Sequence, residues 1–184
     1  GVFEAALEVD AFLRSKRWKY CIIEGLAVQQ WGEPRTTLDA DFTLQCGWGN
    51  EEKYVKALLS HFQARIEDAA QFALTNRVVL IRASNGKDVD ISLGALPFEE
   101  SMVRRATLLE MSPGVKVPFC TAEDLVVMKA FASRPRDWAD VEGIVARQSK
   151  LDTKYMLHHL EELCALKEAP EIVARVRKLL KGQP

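Results

Sequence analysis

At 184 residues the chain is long enough for one well-cored domain, or for a core with an appended helical part, and no independent second domain is expected. Its 25 Lys+Arg balance 26 Asp+Glu, which excludes a strong overall field toward nucleic acid or an anionic membrane. There is no long apolar run and no charged-then-apolar leader, and Cys21, Cys46, Cys120 and Cys164 are scattered without a C-x-x-C pair, so the expectation is a cytoplasmic protein with reduced, mostly buried thiols and no membrane span.

Val2 to Arg17 carries Phe3, Leu7, Val9, Phe12 and Leu13 at helical spacing, and Trp18 to Ile23 reads as a short buried strand. Gly25 breaks the pattern; Leu26 to Trp31 predicts a short helix stopped by Gly32, and Glu33-Pro34 marks a turn into a strand from Leu38 to Leu44. After a Gly47 to Asn50 loop, Tyr54, Val55, Leu58, Leu59 and Phe62 have the period of a helix. Arg77 to Arg82 and Asp88 to Leu93 are β-rich runs joined by a turn containing Asn85-Gly86, a hairpin signal. Met102 to Pro118 predicts a helix end and brief strands around Pro113-Gly114. From Thr121 the pattern turns helical: Thr121 with Asp124 opens one helix, and Pro135, Asp152 and Pro170 open three more. The fold class is therefore α+β, with a core over 1–118 and a helical region over 119–184 packed on it.

Two aspartates one residue apart, Asp39 and Asp41, close the run from Cys21 to Leu44, and Asp90 stands between Val89 and Ile91. Residues i and i+2 of a strand point to the same side of a sheet, so this pair presents two carboxylates to one region of space. Hard oxygen donors of this kind suit Mg²⁺, which keeps waters and substrate phosphates in its shell. With a third carboxylate from a later strand, two such ions can be held, one beside an attacking oxygen and one beside a leaving pyrophosphate. Asp88 shares the parity of Asp90 and is the alternative third ligand. Asp90 is favoured, because a hairpin-end Asp beside Lys87 is more commonly solvated.

The spacing Gly25-Leu-Ala27, then Gly32-Glu-Pro-Arg-Thr-Thr-Leu-Asp-Ala-Asp41, then Asp90, with a second block from Thr121 through Lys129 to Asp140, resembles the nucleotidyltransferases of the DNA polymerase β superfamily. The nearest resemblance is to the small bacterial AbiEii-type and minimal nucleotidyltransferase branch. It implies a mixed sheet flanked by helices with a C-terminal helical region. It also implies transfer of a nucleoside monophosphate from a nucleoside triphosphate to an acceptor hydroxyl of an RNA such as tRNA, a protein or a small molecule, with release of pyrophosphate. Asp39, Asp41 and Asp90 are then the catalytic and metal residues, for two Mg²⁺ or Mn²⁺ ions. Gly25, Arg35, Thr37 and Lys129 are the nucleotide-binding candidates, and toxin-type members imply a cognate antitoxin. One departure stands out: Glu24 occupies the first small-residue position of the phosphate-cradling element. It supports the alternative of a weak or silent transferase fold serving as a nucleotide-sensing or protein-interaction module.

Arg35 has two readings, a surface pair with a carboxylate or a bidentate phosphate contact. Lys129 is read as a cation directed at phosphate or as a stem packed on the core. Asp137 suits a helix start, with anchoring of Arg134 or Lys129 as its second reading, while Arg136 and Asp140 read as solvated charges. His158 and His159 are neighbours on a helix, about 100° apart, and are read as structural or exposed rather than as joint ligands. The basic runs Arg14 to Lys19 and Arg175 to Lys181 read as solvated helix faces before RNA contacts.

Overall fold

The computed structural model describes residues 1–182. Its contacts divide the chain into two compact units, one of residues 1–26 and 36–120, the other of residues 27–35 and 121–184. The first holds every strand found among the described residues. In chain order it runs α1 (Val2–Ser15), β1 (Tyr20–Ile23), the first turn of α2 (Glu24–Trp31), β2 (Ala40–Gln45), α3 (Glu51–His61), β3 (Gln63–Ala64), α4 (Ala69–Asn76), β4 (Val78–Arg82), β5 (Asp88–Gly94), α5 (Pro97–Arg105), β6 (Thr107–Ser112) and β7 (Val115–Phe119).

The strands form one mixed seven-stranded sheet in the order β3-β4-β5-β2-β1-β7-β6. The interior strand β1 is wholly buried, as its Tyr-Cys-Ile-Ile sequence dictates, and pairs antiparallel with β2 and parallel with β7. β2 pairs parallel with β5 in a register that sets Asp41 opposite Asp90. The β4–β5 hairpin turns at Asn85-Gly86, where Gly86 takes the left-handed φ of +79° that the turn requires. The core interleaves Phe42, Leu44, Ile91 and Leu93 of the sheet with Ala6, Leu13, Leu58 and Met102 of the helices.

The second unit comprises the rest of α2 with the segment to Arg35, then α6 (Ala122–Ala132), α7 (Pro135–Arg147), α8 (Thr153–Lys167) and α9 (Pro170–Lys181). Thr121 caps α6 by accepting from the Asp124 N–H, and Asp152 caps α8 through Tyr155. The sequence left 27–35 with the sheet; the structure groups it with the helices. Gly32 explains the close approach, since a Cβ there would lie 2.9 Å from Ile144 Cγ1, and Arg147 and Gln148 of α7 and its cap bond Glu33 and the Trp31 carbonyl. Among the described residues, no helix is long and apolar enough to cross a membrane.

Candidate active site

The acidic centre is built at the start of β2. Asp41 lies on that strand, Asp39 in the bend before it, and both are half-exposed while Ala40 and Phe42 are buried, so the two carboxylates share one side. Asp90 sits across the parallel ladder from Asp41, flanked by buried Val89 and Ile91. Burial pushes the Asp90 carboxyl above the usual carboxylate range, Arg65 opposes this, and the negative charges of Asp39 and Asp88 push it further up. Its buried Oδ1 is ion-paired with the Arg65 guanidinium at 2.7 Å.

The chemistry of these donors fits a divalent cation of the oxygen-seeking class, and a half-buried carboxylate beside like charges, with Arg65 as counterweight, leaves negative charge for such an ion to meet. The three carboxylates share a side without converging. Among the described residues, only His158, His159 and Glu162 bring three such ligand atoms within 4.8 Å of one another. Local partners account for the spread: Arg65 pairs with Asp90, and the Thr37 hydroxyl donates to the carbonyl and Oδ1 of Asp39, each at 3.3 Å. Asp88, the alternative third acid, is engaged by Arg82 at 3.0 Å, with Arg65 at 3.7 Å.

Gly25 lies two residues past the end of β1, after Glu24, and β1 delivers it to this centre because Ile23 pairs with Asp41. A Cβ on Gly25 would overlap Thr37 Oγ1 and lie 2.7 Å from Thr37 Cβ, so glycine is needed for Thr37 to rest on the α2 backbone while it holds Asp39. Glu24 has a φ of +51°, a left-handed conformation that costs a non-glycine residue about 1–2 kcal/mol. The backbone thus keeps a corner suited to a small residue even though the sequence supplies glutamate.

Arg35 and Lys129 belong to the second unit. Arg35 forms a bidentate pair with Asp140, with both contacts at 2.9 Å. Lys129 is 1 % exposed, and its ammonium lies 3.1 Å from both Asp137 and Asp140. Asp137 also accepts from Arg134. Burial alone would raise Asp137 and Asp140; hydrogen bonds from Arg134 and Lys129 to the first, and from Arg35 together with the Lys129 charge to the second, outweigh it and hold both below the usual range. One expectation is corrected here: Asp140 is buried and ion-paired rather than solvated. Lys129 is enclosed with its charge shared between two carboxylates. The acidic partners make burial of the cation tolerable.

Arg65 was invisible to sequence reasoning. It follows the two-residue β3, its N–H donates to the Leu80 carbonyl, and nothing in a polar turn marks an arginine as the partner of a distant aspartate.

Three comparisons bear on identity. A family model described as "Nucleotidyl transferase AbiEii toxin, Type IV TA system" matches residues 26–179. No curated protein sequence matches the chain. Among solved structures, it is similar to an antigenic nucleotidyltransferase-like protein from Paracoccidioides brasiliensis (TM-score 0.56, 15 % identity, covering 96 % of this chain and 92 % of that one). It is also similar to the lincomycin-bound lincosamide antibiotic adenylyltransferase LnuA (0.55, 10 %, covering 79 % and 97 %). A third is ANT(2'')-Ia in complex with adenylyl-2''-tobramycin (0.51, 14 %, covering 96 % and 97 %). At these identities the structures speak for the fold alone, a nucleotidyltransferase α+β fold. The family match spans most of the chain and includes Asp39, Asp41 and Asp90, so the chain belongs to the AbiEii family of nucleotidyltransferases.

Proposed function

We propose that this protein moves a nucleoside monophosphate from a nucleoside triphosphate to an acceptor hydroxyl with release of pyrophosphate, at a centre formed by Asp39, Asp41 and Asp90. The observation that carries the reading is Asp90: a half-buried carboxylate set opposite Asp41, with the Asp39 charge near enough to raise its proton affinity, beside the Gly25–Thr37 contact. Two Mg²⁺ or Mn²⁺ ions held by the three aspartates would supply charge neutralisation at the phosphates and acidify the acceptor hydroxyl. Asp90, whose proton affinity is raised by burial, is suited to receive the acceptor proton. Gly25 lets Thr37 rest against the start of α2, and Thr37 orients Asp39. We assign Arg35 and Lys129 to holding the second unit's polypeptide through Asp137 and Asp140, in place of direct phosphate contact.

The family description supports a cognate antitoxin as partner, and two similar structures, described as lincomycin-bound and as complexed with adenylyl-2''-tobramycin, support testing small-molecule hydroxyls beside tRNA and protein. Four free, buried cysteines suit the reducing cytoplasm. The silent-fold alternative draws on Glu24, at a position where a carboxylate would repel phosphate. Calorimetry with ATP, GTP, CTP and UTP in Mg²⁺ decides between them. We expect one or more nucleotides to bind in a metal-dependent way, and α-labelled nucleotide to be transferred onto RNA, protein or an added hydroxyl compound. No metal-dependent binding by any of the four sinks the enzyme reading. If Glu24→Gly then gained binding, the block would lie at that residue.

A further inference from the structure

On α8, far along the sequence from the aspartates, three potential ligands meet: His158, His159 and Glu162 bring one ligand atom each to within 4.8 Å of one another. The helical repeat sets adjacent side chains about 100° apart, which by itself argues against shared ligation. Glu162 resolves the difficulty, because it stands four residues from one histidine and three from the other and turns one carboxylate oxygen to each. His158 Nε2 lies 3.5 Å from Oε1, and His159 Nδ1 lies 3.6 Å from Oε2. These separations are too long for good hydrogen bonds. Each is near the edge of a tetrahedron around a cation with bonds near 2.1 Å, about 3.4 Å, but the two histidines meet different oxygens of Glu162. A shared ion therefore takes the carboxylate through both oxygens, or requires Glu162 and the exposed His158 ring to turn toward His159.

His159 supplies a fixed point. It is 15 % exposed and packs against the Tyr155 ring at 4.5 Å, and the Tyr155 hydroxyl donates to Asp124 Oδ1 at 2.6 Å. Asp124 is itself fully buried and bonded to Thr121. The ring is therefore presented by a second layer of contacts, while His158 and Glu162 remain free to adjust at the surface. Two imidazoles and a carboxylate form a borderline donor set, unlike the all-oxygen aspartate centre, and select Zn²⁺ over Mg²⁺.

We propose that His158, His159 and Glu162 form a Zn²⁺-class site on α8, independent of the aspartate centre, with water completing the shell. The test is a Zn²⁺ titration of the full chain followed by long-range ¹H–¹⁵N spectra of the imidazoles, with His61 as internal control. The expected result is saturable, one-to-one movement of the His158 and His159 nitrogens together, His61 unchanged, and at least about tenfold weaker binding in Glu162→Gln and in His158→Gln. Both variants alter exposed groups and should fold as the parent does. Movement of His158 alone, an unchanged affinity in Glu162→Gln, or no response at millimolar Zn²⁺ would overturn the site. None of these outcomes depends on whether nucleotides bind.

Discussion

The two units handle buried charge in opposite ways. In the helical unit, Lys129, Asp137 and Asp140 are almost fully enclosed, yet the ammonium meets two carboxylates, and Arg134 and Arg35 add further donors. In the sheet unit, Asp39, Asp41 and Asp90 gather like charges on one side, with Arg65 as a partial counterweight at Asp90. Enclosed charge with its partners supplied holds a structure together; a like-charged group left short of cations is held for something that arrives later. This contrast underlies the proposed roles: Lys129 in the scaffold, the aspartates at the reactive centre.

Removing Lys129 should produce the largest change. Lys129→Ala leaves two buried carboxylates without their shared cation and should cost about 3–5 kcal/mol, read as a lower urea midpoint. A pH series sharpens the point. Asp137 and Asp140 are held below the usual range, so their contribution is present above the ordinary carboxylate pKa and is lost as pH falls through their depressed values in acid. The parent should therefore lose stability steeply in strong acid, and the variant much less. A variant as stable as the parent would break the contrast from the helical side.

Asp90→Asn should act in the opposite direction. Asp90 is raised by burial, so its ionisation opposes folding as pH rises through its native value, and the neutral amide removes that opposition while giving up the Arg65 pair. A gain of about 1 kcal/mol at neutral pH, with transferase activity abolished, is the expected exchange of function for stability. The smallest effect belongs to Glu24→Gly. Relief of the left-handed backbone, partly offset by the flexibility of glycine when unfolded, should stabilise by a few tenths to about 1 kcal/mol.

Much of this architecture could be read from the sequence. The hairpin at Asn85-Gly86, the caps at Thr121 and Asp152 and the helix starts at Pro135 and Pro170 are local signals whose chemistry is complete within a few residues. α4 escaped because it buries only Ala69 and Ala73, too little for a visible stripe, and β3 because two exposed residues carry no alternation. At the centre, the parity of Asp39 and Asp41 and the placement of Asp90 on a hairpin strand were legible, whereas the register that sets Asp41 opposite Asp90 arises only when strands distant in sequence pair. The partners of Arg35 and Asp140 lie 105 residues apart, beyond any local pattern. The left-handed Glu24 hides for another reason: the sequence shows a residue that disfavours that backbone, and only the fold reveals that the backbone is imposed.

The most direct test of the aspartate centre is Mn²⁺ binding followed by electron paramagnetic resonance, with and without nucleoside triphosphate, on the parent, Asp41→Asn and Lys129→Arg. The account predicts nucleotide-enhanced Mn²⁺ binding by the parent, its loss in Asp41→Asn, and its retention in Lys129→Arg, which keeps the buried charge. Equal binding by the parent and Asp41→Asn would contradict it.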